Sequence, residues 1–414
     1  MKRKNVRESY YLGALLYVFL VSFPEKLVTL SLIVWVLLSL LSFRKEMLLK
    51  NKYLLLLPAF YVLYFVGFFT SENPSFKFLE HKLSFLIFPL IFFLHQYSEK
   101  QRKRMLQVFV LGLVGSALVC LGVACFNSIV FQDGIIHFKP NVLEGKGFME
   151  SILYGGNYFF GRYLSIFHQT VYYASYLCAG IAILLFNPKL FPSKTRFVIL
   201  GLFVLFVFLI SNKASFIVLT LLLCIRVFTW QSNKVKKTIS FSVFAIIVAS
   251  FIIMNPRIRE SLTKVADGEL LLNKEARYGF STRLLSWDAA ISLIKEKPIL
   301  GYGYANTQLV LNKRYEQKGY TYPLMEKYNA HNLWLQSWLE NGILAILILI
   351  SIFYFLLKQQ LPGFRYSPLL LTFVLILLVN SMFEGMFNRF SGISFFSFLV
   401  CFIFSALKGG LSKK

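Results

Sequence analysis

Long apolar runs recur twelve times along the chain, at about 8–23, 27–43, 53–70, 83–96, 105–130, 166–188, 197–211, 215–229, 239–254, 333–357, 367–384 and 391–408. Crossing a hydrocarbon core about 30 Å thick takes roughly 20 helical residues. The pattern therefore predicts an all-α polytopic membrane protein of about 12 transmembrane helices within a single integral membrane domain, 1–414. Shorter runs, such as 83–96, must borrow flanking residues or tilt. Composition agrees: 15% of residues are charged, against about 25% in a soluble domain. The 45 Phe among 414 residues suit lipid-facing helices better than a wetted surface.

The net charge of +25 does not point to nucleic acid. Its basic residues lie in short clusters between apolar runs, whereas a nucleic-acid binder gathers them on one face. With the N-terminus in the cytoplasm, the cytoplasmic connections hold 24 Lys and Arg, and the short outer turns hold five. That asymmetry follows the positive-inside rule and predicts that both termini are cytoplasmic. The stretch "MKRKNVRESYYLGALLYVFLVSF" resembles a signal peptide, but no small-residue cleavage site follows, so an uncleaved first helix is expected. The five cysteines all fall inside apolar runs and read as small buried hydrophobes.

Two outer segments are long, 131–165 and 255–330. Loops of that length in a compact fold are usually functional. Within the second, Leu284, Trp287, Ile291 and Ile294 recur at +3, +4 and +3, the apolar stripe of an amphipathic helix. Ser281 or Thr282 can cap its start, and Lys297-Pro298 can end it. Gly301 and Gly303 then supply a turn. Such a helix would lie against the membrane bundle and hold Arg283 near its N-terminus.

The topology collects Arg162, His168, Lys213, Arg283, His331, Glu384 and Arg389 on the outer side. Arginine offers a planar fork of donors matched to phosphate oxygens. Histidine is the side chain best placed to take a proton near neutral pH. Together they suit an anionic, phosphate-bearing substrate. The three Asp, at 133, 267 and 288, form no Asp-x-Asp pair. Metal-dependent sugar transfer needs clustered carboxylates. A leaving pyrophosphate would here depend on cationic side chains, with no metal. Plainer settings exist for each residue: His168 as a core histidine, Lys213 and Arg162 at the headgroups, Trp334 and Glu340 in packing.

The stretch "TRLLSWDAAISLIKEKPILGYGYANTQ", followed by "AHNLWLQSWLENGILAIL", resembles the signature region of the O-antigen ligase and polymerase superfamily. The matching positions are Arg283, Trp287, Pro298, Gly301, Gly303, His331, Asn332, Glu340 and Gly342. Arg162 through Thr170 resembles the family's arginine ahead of a span. The turn after the seventh run departs from the pattern: "SNKAS" carries Lys213 where members often have Ser-Arg, and lysine lacks the bidentate fork.

The resemblance implies a metal-independent, inverting glycosyltransferase of the bacterial inner membrane, with its active site facing the periplasm. Its donor would be an undecaprenyl-diphosphate-linked glycan, and its acceptor lipid A–core or a growing glycan. It implies that Arg162 and Arg283 hold the diphosphate and that His331 activates or orients the acceptor hydroxyl. Asn332, His168, Lys213, Trp287, Glu384 and Arg389 would line the substrate. A ligase and a polymerase remain open, and so does a transporter, although charges at span ends and one dominant loop favour transport least.

Overall fold

The computed structural model describes residues 8–43, 51–69, 76–132, 134–142, 145, 147–229, 234–266, 273–276, 279–358 and 367–408. In chain order its helices are α1 (Ser9–Leu20), α2 (Glu25–Leu41), α3 (Leu56–Phe69), α4 (Phe76–Lys82), α5 (Ser84–Leu94), α6 (Glu99–Ser128), α7 (Phe148–Tyr154), α8 (Thr170–Phe186) and α9 (Ser193–Ile210). They continue with α10 (Lys213–Thr229), α11 (Lys234–Met254), α12 (Pro256–Ala266), α13 (Phe280–Glu296), α14 (Tyr304–Lys318), α15 (Thr321–Met325), α16 (Leu333–Lys358), α17 (Pro368–Phe383) and α18 (Phe390–Lys408). A helix occupies each of the twelve apolar runs.

By length and composition, Lys52–Phe69, Glu99–Ser128, Ser193–Ile210 and Leu333–Lys358 are long and apolar enough to cross a membrane. Shorter apolar helices lie at Ser9–Leu20, Thr170–Phe186, Phe241–Met254, Pro368–Phe383 and Phe390–Ala406. The basic clusters at 1–7, 44–50, 359–366 and 409–414, on which the charge asymmetry partly rests, lie outside the described residues. Of the cysteines, Cys120, Cys178 and Cys401 are buried as expected, while Cys125 is exposed and Cys224 half-buried.

Prolines punctuate the bundle. Pro24 separates α1 from α2, and its carbonyl accepts from Leu27 and Val28 N–H. Pro256 and Pro368 open α12 and α17, where a missing N–H costs nothing because first-turn donors have no helical partner. Among the described residues, the strands fall at Ile129–Phe138, where the chain enters segment 131–165. There β1 (Ile129–Gln132) and β2 (Ile135–Phe138) pair antiparallel.

The chain forms two compact units. The first comprises Met1–Leu38, Lys100–Leu262 and Ser367–Ile376, and the second Ser39–Glu99, Thr263–Tyr366 and Leu377–Lys414. In the first, α8 is buried along almost its whole length and packs on α9 and α10. In the second, α18 packs on α5, α16 on α3, and the α13–α14 pair on α16.

Segment 255–330 is largely helical, and α13 holds Arg283 in its first turn. Its start lies slightly earlier than the expected cap, with Gly279 at the N-cap position, and it ends before Lys297. The buried face is rotated from the expected stripe. Thr282, Leu285, Ser286, Ala289, Ala290, Leu293 and Ile294 face inward, and Ile291 is exposed. Leu285, Ala289 and Leu293 join Leu311, Tyr315, Ala330 and Leu339 in one core. Small side chains at Ser286, Ala289 and Ala290, between Leu285 and Leu293, let these helices approach closely.

The turn after α13 explains the glycine spacing. Within α16, Gly342 has φ 66° and ψ −160°, which breaks the helix. The break frees Leu339 O and Ile343 N, which would otherwise bond each other across one turn. Both find partners in the preceding loop. Tyr302 N donates to Leu339 O at 2.7 Å, and Ile343 N donates to Ile299 O at 3.2 Å. Trp338 Nε1 adds a bond to Pro298 O at 2.8 Å. A Cβ on Gly342 would collide with Ile299 O, and one on Gly301 would lie 2.5 Å from Leu339 O. The two glycines therefore serve a main-chain exchange between loop and helix.

Candidate active site

The centre of the second unit's polar cluster is the turn Tyr328–Asn332. Tyr328 O accepts from Tyr315 Oη at 3.0 Å and Gln308 Nε2 at 3.3 Å. Asn329 Oδ1 accepts from His331 N at 2.7 Å. Gln336 Oε1 accepts from Ala330 N at 3.0 Å. Asn332 Oδ1 caps α16 by accepting from Trp334 N and Leu335 N, and its Nδ2 donates to Met382 O. Held on every side, His331 adopts φ 43°, a conformation that non-glycine residues rarely take. Backbone strain of this kind persists only where surrounding bonds over-determine it.

The His331 ring remains partly open, at 26% side-chain exposure. Its Nδ1 lies 3.7 Å from Glu384 Oε1, an ion-pair distance longer than a hydrogen bond. The Tyr328 ring meets the imidazole edge-on at 5.1 Å between centroids. Burial alone would raise the Glu384 carboxyl. The His331 ring, the Arg283 guanidinium and the Gly385 N–H outweigh it and hold the group below the ordinary carboxylate range. Arg283 is itself buried, which lowers its guanidinium, while Glu384 and Tyr328 pull the other way. Its Nε, His331 Nδ1 and Trp287 Nε1 have no hydrogen-bond partner among the described residues. One carboxylate thus faces an imidazole and a buried guanidinium whose donors are not all used.

Beneath this turn runs a buried polar chain. Gln336 Nε2 donates to Glu340 Oε1 at 2.7 Å, and Tyr64 Oη donates to Glu340 Oε2 at 2.9 Å. Lys82 lies in an aromatic box, its Nζ 4.7 Å from the Tyr64 ring centroid, 4.6 Å from Phe78 and 5.6 Å from Tyr304. It donates to Phe387 O. Burial pushes its ammonium down to about 8, against the pull of Glu340. The chain Tyr64–Glu340–Gln336–Ala330 thus ends one residue from His331.

The structure brings His331, Glu384, Arg283 and Asn332 together in the second unit, with Trp287 on the same helix as Arg283, edge-on to Phe280. Arg389 is exposed, and its carbonyl accepts from Ile393 N at the start of α18. Arg162, His168 and Lys213 belong to the first unit. Arg162 is exposed, its guanidinium over the Tyr163 ring at 4.8 Å. His168 is buried against Tyr173 and Tyr176, with the backbone of Val21, Ser22 and Phe23 as hydrogen-bonding neighbours, the setting of a core histidine. Lys213 is half-buried at the start of α10, after Ser211 in the left-handed region.

Sequence reasoning did not single out Lys82, Gln336 or Arg257. In sequence Lys82 is only one lysine of a short outer turn, because its box is assembled from residues 64, 78 and 304. Gln336 could have been found from its four-residue spacing to Glu340, which puts both on one helix face. Arg257 Nε donates to Ile152 O at 2.6 Å, and its guanidinium lies against Gly161, next to Arg162 in sequence. Burial depresses it, Glu260 opposes that, and Arg162 adds to it.

Among the described residues no three His, Cys, Asp or Glu side chains gather as a metal-ligand set. No curated protein matches the chain. The family model described as Wzy_C, O-antigen ligase, matches residues 197–350, a stretch that holds Lys213, Arg283, Trp287, His331 and Asn332, and this match supports the resemblance to the O-antigen ligase and polymerase superfamily.

Proposed function

We propose that the protein is a membrane glycosyltransferase of the O-antigen ligase type. It moves a glycan from undecaprenyl diphosphate to a lipid A–core acceptor on the periplasmic face of the inner membrane. The observation that most supports this reading is the grouping of His331, Glu384 and Arg283 around a strained turn, inside and beside the stretch that matches the family. In the reaction, an acceptor hydroxyl oxygen attacks the anomeric carbon from the face opposite the diphosphate. The new C–O bond forms as the C–O bond to phosphate breaks. His331 takes the hydroxyl proton, and Glu384 steadies the resulting imidazolium. Arg283 balances charge on the departing undecaprenyl diphosphate without a metal.

A polymerase of the same superfamily would use the same chemistry on a different acceptor, the growing carrier-linked glycan. Lipopolysaccharide from a strain lacking the protein separates the two on a gel. Ligase loss leaves lipid A–core bare while carrier-linked polymer accumulates. Polymerase loss leaves core bearing at most one repeat unit, and an unchanged pattern sinks both. Transfer that stops on chelation and returns with Mg²⁺ or Mn²⁺ overturns the metal-free step.

A further inference from the structure

The hairpin β1–β2 leaves the C-terminal end of α6 directly, since α6 ends at Ser128 and β1 begins at Ile129. Its register pairs Ile129 with Phe138 and Phe131 with Ile136. Directly opposed residues share a face. One face is therefore built of Ile129, Phe131, Ile136 and Phe138, all large and apolar. All four are exposed, at 54%, 74%, 69% and 64%. The other face is mixed, with Val130, Gln132, Ile135 and His137. On that side Lys139 Nζ donates to Gln132 Oε1 at 3.2 Å. Phe138 touches Phe159, the one ring contact of the four among the described residues, and is still largely uncovered.

A lone two-stranded hairpin is marginally stable in water and needs its apolar face buried. A contiguous apolar patch of this kind marks a surface that something covers. What covers it is indicated by continuity. Leu111, Leu118, Val119 and Phe126 on α6 are also exposed, and α6 is among the helices long and apolar enough to cross a membrane. Exposed apolar residues thus continue along the chain from a bilayer-length helix, through Phe126, into the hairpin at Ile129.

We propose that the Ile129–Phe138 hairpin is a lipid-docking element, lying in the headgroup and upper acyl region at the Ser128 end of α6. Its phenylalanine face points toward the acyl chains and its His137 face toward water. The depth follows from the backbone. A two-stranded hairpin leaves its outer N–H and C=O groups unpaired, which hydrocarbon does not tolerate. The interface supplies water to those groups while the apolar face enters by about 5–10 Å, as interfacial amphipathic elements do. This assignment concerns the protein as a membrane protein and is independent of the sugar-transfer reading.

The test uses the full-length protein in phosphatidylcholine vesicles, with and without bromine on the acyl chains. Phe131→Trp and His137→Trp place a probe on each face, read as the difference in emission from the parent protein. Phe131→Trp should emit at shorter wavelength and lose at least twofold more intensity to brominated chains than His137→Trp. Aqueous iodide should show the reverse order. If Phe131→Trp is quenched by iodide and not by bromine, the face is wetted and the proposal fails. If it is shielded from both, protein covers the face and the proposal also fails. Ile136→Trp, on the same face, stands in should Phe131→Trp fail to elute as the folded protein, and the same outcomes decide.

Discussion

Glu384 Oε1 stands 3.7 Å from His331 Nδ1, although the residues are on different helices' ends and His331 holds an unfavourable backbone to be there. Closing that gap by half an ångström or more would make a charge-assisted hydrogen bond, the form expected once the imidazole carries a proton. Under the proposed function, that protonated state would arise as His331 takes the acceptor hydroxyl's proton.

His331→Ala should lower glycan transfer by about 10²- to 10⁴-fold, the usual contribution of a general base. Protein level and membrane insertion should stay normal, read by immunoblot of washed membranes. Wild-type transfer rates in that variant would remove His331 from the chemistry.

Glu384 carries a pH signature. Its folded value is below the ordinary 4.5, so its contribution to stability is full above 4.5 and is lost as pH falls through the depressed value. The thermal midpoint of the detergent-solubilised protein should therefore drop below pH 4.5 by more in the parent than in Glu384→Gln. Parallel curves for the two would show that the carboxylate gains nothing from His331 and Arg283.

Arg283→Lys should be severely impaired in transfer while remaining folded. Lysine keeps the charge but loses the planar fork that meets two phosphate oxygens at once. Equal rates with either residue, measured at saturating donor, would rule out a bidentate diphosphate contact.

Gln336→Met keeps the side chain's bulk and removes both of its hydrogen bonds, to Ala330 N and to Glu340. Leaving the buried partners unpaired should cost about 1–3 kcal/mol of stability. Because Ala330 precedes His331, kcat should fall while KM for the donor is unchanged. A loss in KM alone would show that Gln336 shapes binding rather than the histidine turn.

The same substitution at two glycines should act in opposite directions. Gly342→Ala forces a side chain into φ 66° and onto Ile299 O. Strain at such a position costs about 1–3 kcal/mol before the collision is counted. Gly122, inside α6, has open space around its Cβ direction. Alanine there should stabilise by about 0.5–1 kcal/mol through helix propensity. Thermal unfolding of both variants checks the contrast.

The helices at the apolar runs and the α13 start near Arg283 were legible because they rest on local signals: run length, proline punctuation and turn glycines. The inward face of α13 was not. Leu284, Trp287 and Ile291 are more apolar than Ala289, Ala290 and Ser286, yet those small residues share the buried face with Leu285, Leu293 and Ile294. In a tightly packed helical cluster closeness selects the buried face, and hydrophobicity loses its power to discriminate. The hairpin escaped because Ile129 and Val130 read as the tail of an apolar run. His331, Arg283 and Glu384 were legible as candidates, but their grouping depends on a turn 50 residues from Met382, to which Asn332 ties it. Lys82 was invisible for the same reason, since its surroundings come from distant segments.

The main-chain exchange at Gly342 has a mechanical consequence. To shift the connection between α13 and α14, the molecule must break the Tyr302–Leu339 and Ile299–Ile343 bonds or carry the first half of α16 along. The His331 turn is fastened to that half by Asn332 and Gln336. Arg283 and His331 therefore travel together when this region moves. Under the proposed function, a glycan entering between them would meet a jaw of fixed span, and its access would be regulated by segments other than α13 and the start of α16.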